Sequence, residues 1–274
     1  MKRVFLLGDP VAHSISPAMH NAAFGTLGLD WQYELLETPK AELAQAIGRF
    51  RAVDCAGANV TIPYKEDVVH LLDEVTDRAH KIGAVNTIFK RAGQLIGDNT
   101  DGYGVTRALL DARVGLQDRR IAILGAGGAA HAVAVTMAEL GAARIVILNR
   151  TVARAEKLAA FLRSSFPTVA IAVNDVNALL NSDLIVNATS VGMTPREDES
   201  PMWVTFPRGA VALDLVYRPI ETHFLSDAAR VGAQTVGGIG MLVHQGAAAF
   251  KLWTGRDAPV DRMFDAARHA LNGV

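Results

Sequence analysis

Several short stretches of this chain place polar residues or glycines where a strand should end and a helix begin. Asn59-Val60-Thr61-Ile62-Pro63-Tyr64-Lys65 holds the residue before Pro63 extended and puts Lys65 at the start of a predicted helix. That is the unfavourable end of the helix dipole for a cation, so something must compensate it. Asp101, within Gly97-Asp98-Asn99-Thr100-Asp101-Gly102, could be that anion. It also reads as the N-cap of the next helix, and a carboxylate can do both. Asn86-Thr87 interrupts an apolar strand with an amide that needs partners if buried. Ser14 and Ser16 point the same way if their loop is extended, and two hydroxyls there could hold a carboxylate. Ser16 is equally placed to cap the helix that Pro17 begins. An ammonium can polarise a ligand oxygen and give it a proton, and a neutral lysine can take one back.

A second kind of site is a turn. A short apolar run, Ile121–Leu124, stops at Gly125-Ala126-Gly127-Gly128, and an Ala-rich helical pattern runs from Ala129 to about Leu140. A second apolar run, Arg144–Leu148, ends in Asn149-Arg150-Thr151. Strand, glycine turn, helix, strand is the βαβ unit that binds a dinucleotide, with the pyrophosphate at the helix N-terminus. Enzymes for NAD usually carry an Asp or Glu at the end of the second strand, for the ribose 2′-OH. Here Asn149 is followed by Arg150, with Arg154 one helical turn on, and Thr151 can cap the next helix or offer its hydroxyl to an anion. That favours a 2′-phosphate, hence NADP(H). The other reading is that both arginines are ordinary solvated residues of a helix start.

Composition bounds the rest. The chain has 274 residues, 50% hydrophobic and 20% charged, enough for a sizeable core in about two domains. A net charge of −1 argues against nucleic-acid or anionic-membrane partners. Cys55 is the one cysteine, so no disulfide framework exists, and it reads as a small core residue. The first apolar run is too short for a signal peptide, and no stretch approaches the roughly 20 apolar residues of a membrane span. A cytoplasmic setting is expected. The eight histidines form no HExxH-like pair, so no metal site is expected.

The elements that must position these residues alternate. Strands are expected at Val4–Leu7, Trp31–Glu37, Ala56–Val60, Ala84–Phe89 and Leu95–Gly97. Helices are expected from Pro17, from Thr38-Pro39, over about Lys65–Leu72, and over Tyr103–Asp111, with a helical turn at Ala79–Ile82. From Ile121 on, six strands can be counted, the number of a complete doubly wound sheet. Helices at Met241–Trp253 and Val260–Leu271 have no strand to follow. They are expected to pack back on the first domain, whose sheet face would otherwise be bare. The expected fold is α/β: an N-terminal open α/β domain over 1–100, completed by 239–274, and a Rossmann-type domain over 101–238, with linkers near 101 and 238.

Nine motifs in order, HSISPAMHN, NVTIPYK, GAVNT, GDNTDGYG, GAGGAAHA, NRT, NATSVGM, DLVYRP and GMLVHQGAAAF, cover nearly the whole chain, which resembles the shikimate dehydrogenase family. The resemblance implies reversible NADPH-dependent reduction of 3-dehydroshikimate to shikimate, a step towards chorismate and the aromatic amino acids. It implies a small-molecule substrate and a monomer or homodimer. Lys65 and Asp101 match the catalytic pair. Ser14 and Ser16 match the serines that hold the ring carboxylate, with Tyr217 nearby, and Thr61, Asn86 and Gln245 match groups for the ring oxygens. Gly125, Ala126, Gly127, Gly128 and Ala129 match the pyrophosphate turn, and Asn149, Arg150, Thr151 and Arg154 the 2′-phosphate pocket. Thr189, Leu215, Gly238 and Met241 would line the nicotinamide side, and Asp77 falls at an acidic cofactor contact. His131 departs from the pattern, standing where many members have Arg. The serine pair and Arg150 argue against the NAD-accepting quinate/shikimate branch. A silent NADP-binding sensor should have lost Lys65 or Asp101.

Overall fold

The computed structural model describes residues 1–273 and divides into two compact units. One comprises Met1–Gly104 with the chain from Val243 onward, the other Val105–Leu242.

The first unit is built on a mixed six-stranded sheet. Its strands are β1 (Lys2–Gly8), β2 (Trp31–Glu37), β3 (Cys55–Val60), β4 (Glu74–Val75), β5 (Thr87–Arg91) and β6 (Gln94–Asp98), in the order β2-β1-β3-β5-β6-β4. β1 runs parallel to β2 and β3, while β5 is antiparallel to β3 and β6. Every residue of β3 is buried, as suits a central strand covered on both faces. Helix α1 (Ser16–Thr26) starts with Pro17 in its first turn, and α2 (Leu43–Arg49) and α3 (Asp77–Ile82) follow. Thr76 caps α3 by accepting from Ala79 N–H, and Gly83 ends it in the left-handed region. Leu7, Phe50, Val60, Tyr64, Val68, Ile88 and Leu95 belong to one apolar cluster.

The second unit is a parallel sheet of β7 (Arg120–Leu124), β8 (Arg144–Leu148), β9 (Ala170–Val173), β10 (Leu184–Asn187), β11 (Val211–Asp214) and β12 (Gln234–Val236). The order β12-β11-β10-β7-β8-β9 is that of a doubly wound sheet, and it reverses between β7 and β10. The helices are α4 (Asp101–Asp111), α5 (Gly128–Glu139), α6 (Val152–Ser165), α7 (Val176–Leu180) and α8 (His223–Arg230). α9 (Gly238–Thr254) and α10 (Val260–Asn272) close the chain. As expected, the final helices pack back on the first unit. α10 packs on α1, and Trp253 Nε1 of α9 donates to Ile88 O at 2.9 Å. Gly57 makes room for that indole, since a Cβ there would lie 2.6 Å from Trp253 Nε1.

Some expectations are corrected. The helix expected over Lys65–Leu72 is only a 3₁₀ stretch, Asp67–Leu71, with Lys65 in the turn before it. Five residues ahead of a strand are too few for a cooperative α-helix. β4 carries no alternation in its two residues and was not expected. The strand expected from Ala84 begins at Thr87, because Val85 N–H is drawn to Lys65 O at 2.7 Å. Ser16 is the first residue of α1 and not its cap. Thr151 occupies the N-cap position of α6, but its hydroxyl makes no capping bond. Where linkers were expected near 101 and 238 there are helix starts, and the unit boundaries fall inside α4 and α9. A helix satisfies its own backbone bonds, so the chain needs no loop there. Among the described residues no helix is long and apolar enough to cross a membrane.

His20 on α1 is wholly buried, with neither ring nitrogen hydrogen-bonded, stacked at 4.5 Å on Tyr33. Burial lowers its pKa to about 3, so the ring is neutral in the fold. The unfolded ring gains a proton below about 6.5, so stability should fall as pH drops from there towards about 3. Between pH 7 and 5, urea unfolding should show the native protein losing about 2 kcal/mol more than His20→Phe. Equal losses would mean that His20 is protonated inside the fold.

Candidate functional site

Several chain ends meet at one edge of the first sheet. β1 and β3 run parallel with Leu7 opposite Val60, so the loop after Gly8 and the segment from Thr61 leave together. Asp9 N–H donates to Ile62 O at 3.0 Å, and Gly8 has no room for a Cβ because Thr61 Cγ2 would lie 2.5 Å away. β5 begins and β6 ends at the same edge, bringing Asn86 and Asn99-Thr100-Asp101 to it.

Lys65 Nζ donates to Asp101 Oδ2 at 2.5 Å. The two side chains are only 15% and 4% exposed. The pairing that the sequence left open is therefore present, although Lys65 lies in a turn and not at a helix start; burial, rather than a helix dipole, is what calls for the anion. Asp101 Oδ1 accepts from Asn86 Nδ2 at 2.7 Å, and the same nitrogen lies 3.2 Å from Gln245 Oε1. Asn86 Oδ1 accepts from Thr100 N–H at 2.8 Å and from the Thr87 hydroxyl at 2.9 Å. Residues from four separate stretches thus form one connected cluster. Ser14 lies on the loop after β1 and Ser16 opens α1; Ser14 Oγ donates to Ser16 Oγ at 3.1 Å and accepts from Ser16 N–H at 3.2 Å. Thr61 lies partly exposed, immediately after β3. Asp77 is an exposed residue in the first turn of α3. The sequence reading named Asn59, Thr87 and Thr100 only as members of their motifs and missed Tyr33; the first three bond Asn86, and Tyr33 reaches it through Asn59. Only the polar residues inside apolar strands hinted at them.

The second unit carries the turn. Gly125 has φ +113°, and a Cβ there would lie 3.0 Å from Ala188 O. Ala126 is buried, while Gly127, Gly128 and Ala129 are half-buried at the start of α5. A Cβ at Gly127 would meet nothing within 4 Å, so the helix N-terminus faces open space that a side chain would fill. Unpaired N–H groups at the start of a twelve-residue helix suit a pyrophosphate, and the glycines fit that group. His131 follows within the helix, its N–H donating to Gly127 O at 3.0 Å. At the end of β8, Asn149 N–H donates to Asn174 Oδ1 at 2.9 Å and Asn149 Nδ2 to Thr151 O at 2.9 Å. Arg150, Thr151 and Arg154 are exposed beside it, a donor set without a carboxylate at the strand end.

The ends of β10 and β11 are tied by Asp214. Its carboxylate accepts from Asn187 Nδ2 at 2.9 Å, Val216 N–H at 2.9 Å and the Thr222 hydroxyl at 2.6 Å. Burial raises its pKa to about 6, against those hydrogen bonds. Asn187 Oδ1 in turn accepts from the hydroxyl and N–H of Thr189 at 2.7 and 3.0 Å. Leu215 and Tyr217 follow β11 on the segment this carboxylate holds. Gly238 is buried where a Cβ would lie 2.5 Å from Val216 O, and Met241 is buried one turn on. Asn187 and Asp214 were also missed, although each ends an apolar strand in a polar residue. Among the described residues no three His, Cys, Asp or Glu side chains gather as a metal site.

Residues 6–88 match the family described as the shikimate dehydrogenase substrate binding domain, and residues 108–201 the shikimate / quinate 5-dehydrogenase family. Residues 238–268 match the shikimate 5′-dehydrogenase C-terminal domain. The chain is 46% identical over 276 residues to the shikimate dehydrogenase (NADP(+)) of Symbiobacterium thermophilum, with 98% of this chain and 94% of that one covered. It is also 46% identical to the enzyme of the same name from Methanopyrus kandleri, covering 98% and 95%. Among solved structures, it is similar to shikimate 5-dehydrogenase from Thermus thermophilus in complex with NADP(H) and shikimate. The TM-score is 0.90 at 40% identity, over 99% of this chain and 100% of that one.

The two turn glycines should separate strain from binding. Gly125→Ala forces a side chain into a positive-φ position and should cost about 1–3 kcal/mol of stability in urea unfolding. Gly127→Ala should unfold within about 0.5 kcal/mol of the native protein, yet bind NADPH at least about tenfold more weakly by fluorescence titration. Unchanged NADPH binding in Gly127→Ala would place the pyrophosphate elsewhere.

Proposed function

The chain belongs to the shikimate dehydrogenase family, and we propose that its Lys65–Asp101 pair carries the reversible, NADPH-dependent reduction of 3-dehydroshikimate to shikimate. The observation that carries this reading is the connected cluster of Lys65, Asp101, Asn86 and Gln245, two charges and two amides withdrawn from water at one sheet edge.

NADPH, when bound, supplies the hydride that reduces the ring ketone. Gly125, Ala126, Gly127, Gly128 and Ala129 would hold its pyrophosphate. Asn149, Arg150, Thr151 and Arg154 would hold its 2′-phosphate, Thr189, Leu215, Gly238 and Met241 its nicotinamide end, and Asp77 a further contact. The chain's own residues do the rest. A ketone carbon that accepts a hydride leaves negative charge on its oxygen, and that oxygen must gain a proton. Lys65 Nζ is a donor that can polarise the carbonyl and supply it. Asp101 holds Nζ through Oδ2 and keeps lone pairs for a ring hydroxyl. In the oxidation direction Lys65 must be the neutral amine, whose lone pair takes the proton from the substrate hydroxyl and so regenerates the ammonium. Ser14, Ser16 and Tyr217 would bind the ring carboxylate. Thr61, Asn86 and Gln245 would bind ring oxygens and so fix which carbonyl meets Lys65.

The direct test is an assay of shikimate and quinate, each with NADP and NAD, followed by reduced-cofactor absorbance. No rate with shikimate and NADP would overturn the reading. Lys65→Met should lower kcat by about 10²–10⁴-fold while NADPH still binds; near-normal turnover would remove Lys65 from the chemistry. Arg150→Ala should weaken NADPH by roughly 10- to 100-fold and NADH far less, because a charge-assisted contact is lost only with the phosphate. Equal losses for the two cofactors would show that Arg150 does not read the 2′-phosphate.

A further inference from the structure

An asparagine amide can turn over without breaking a covalent bond. Turned over, Asn86 would present its oxygen to the Asp101 carboxylate, two acceptors face to face. The groups that prevent this are Thr100 N–H, just after β6, and Thr87, Asn59 and Tyr33 in the sheet.

Two backbone groups set the directions of these hydrogen bonds. Thr100 N–H can only donate, and it reaches Asn86 Oδ1 at 2.8 Å. The Asn86 carbonyl can only accept, and it takes Asn59 Nδ2 at 3.1 Å. Asn59 is therefore oriented with its nitrogen towards Asn86 and its oxygen towards the Tyr33 hydroxyl, 2.8 Å away, which must donate. Asn59 Nδ2 also donates to Thr87 Oγ1 at 3.1 Å. Having accepted there, Thr87 has its own proton for Asn86 Oδ1, at 2.9 Å. Asn86 Nδ2 is left facing Asp101 Oδ1 at 2.7 Å, and Asp101 Oδ2 faces Lys65. Donation runs one way, from the Tyr33 phenol through Asn59, Thr87 and Asn86 to the carboxylate.

Tyr33, Asn59 and Thr87 are all buried. The ring of Tyr33 is held by the His20 stack and by Trp253, whose ring centroid lies 6.0 Å away. A group in this chain that loses its link has no water to turn to; the Thr100 hydroxyl lies 3.2 Å from Asn86 Oδ1, a longer contact than the 2.9 Å of Thr87.

We propose that Tyr33, Asn59 and Thr87 are positioning residues, a directional hydrogen-bond chain that fixes the Asn86 amide with its nitrogen on Asp101 and so keeps Asp101 on Lys65. The proposal rests on the reading of Lys65 and Asp101 as the catalytic pair. None of the three need touch substrate or cofactor. Thr87 is the decisive member, because only its hydroxyl both receives from Asn59 and gives to Asn86 Oδ1.

Thr87→Val keeps the shape and removes the hydroxyl. It should lower kcat by about 10- to 30-fold while KM for NADPH stays within twofold. Thr87→Ser, which restores the hydroxyl, should recover kcat to within about threefold of the native value. Tyr33→Phe removes one oxygen at the far end, should lower kcat by about three- to tenfold, and carries the test if Thr87→Val does not fold. In the Lys65→Met background, Thr87→Val should have no further effect on kcat, since the group being positioned is gone. Circular dichroism and thermal melting confirm that each protein is folded at the assay temperature. Equal loss in Thr87→Val and Thr87→Ser, or full additivity with Lys65→Met, would reduce Thr87 to packing and overturn the proposal. A crippled Lys65→Met beside a Thr87→Val within twofold of native kcat would overturn the chain alone. A normally active Lys65→Met would overturn the catalytic reading, and the chain with it.

Discussion

The Lys65–Asp101 pair is nearly removed from water, and the polar organisation of the first unit follows from that. Desolvating an ammonium and a carboxylate costs several kcal/mol per ion, and their attraction offsets this only when the remaining lone pairs and protons are met. Asn86 meets one of them at Asp101 Oδ1. It then needs partners itself, because an amide buried in a sheet has no water to turn to. Thr87, Thr100 and Gln245 supply them. Polar residues inside strands otherwise rich in apolar ones are thus explained by one requirement. The local backbone also yields to it: β5 starts only at Thr87, with Asn86 left at the edge where its side chain is needed.

The second unit solves a different problem by the opposite means. Recognition of phosphate groups at a helix N-terminus calls for backbone N–H groups and for close approach, so the informative residues are those without side chains. Gly125 occupies a conformation that a Cβ would strain, and Gly238 sits where a Cβ would collide with Val216 O. Asp214 adds rigidity from beneath, tying the ends of β10 and β11 and the start of α8 through three hydrogen bonds. Its burial would be costly for a free carboxylate, and its raised pKa records that cost. On the proposed reading, a charged side chain serves the proton in the first unit and a bare backbone serves the phosphate in the second.

How much of this was legible in the sequence depended on the range of the interaction. Trp31–Glu37 and Arg144–Leu148 could be delimited to the residue, because apolar periodicity and its turn residues are local signals. The Lys65–Asp101 pair could be foreseen as one of two alternatives, but from a helix start that the structure does not have; the lysine needs its anion because it is nearly buried. The short strand β4 and the 3₁₀ stretch Asp67–Leu71 could not, since neither is long enough to show a period. Least legible were the connections of Asn59, which join residues 26 to 28 positions apart. Sequence shows that such an amide needs partners and is silent on which ones. The hydroxyl of Thr151 shows the converse: its position at a helix start was right and its capping bond was absent, because capping requires a side-chain rotamer as well as a place.

The end of β8 illustrates why an exposed site can still discriminate. Exposed charge pairs are worth little, since water competes for both partners, and Arg150 and Arg154 are exposed. On the proposed reading, preference for a 2′-phosphate cannot rest on their charge alone. The other component is what the strand end lacks. An Asp or Glu at position 149 would accept from a ribose hydroxyl and repel a phosphate, so its replacement by a neutral amide removes a penalty against one cofactor and a contact to the other. Asn149 reinforces this, because its N–H and side-chain nitrogen are already committed to Asn174 and Thr151. The loop is held in shape from within, and the guanidinium groups meet a phosphate on a frame that does not have to be ordered first. Selectivity then comes from a missing repulsion and a preformed frame as much as from the arginines themselves.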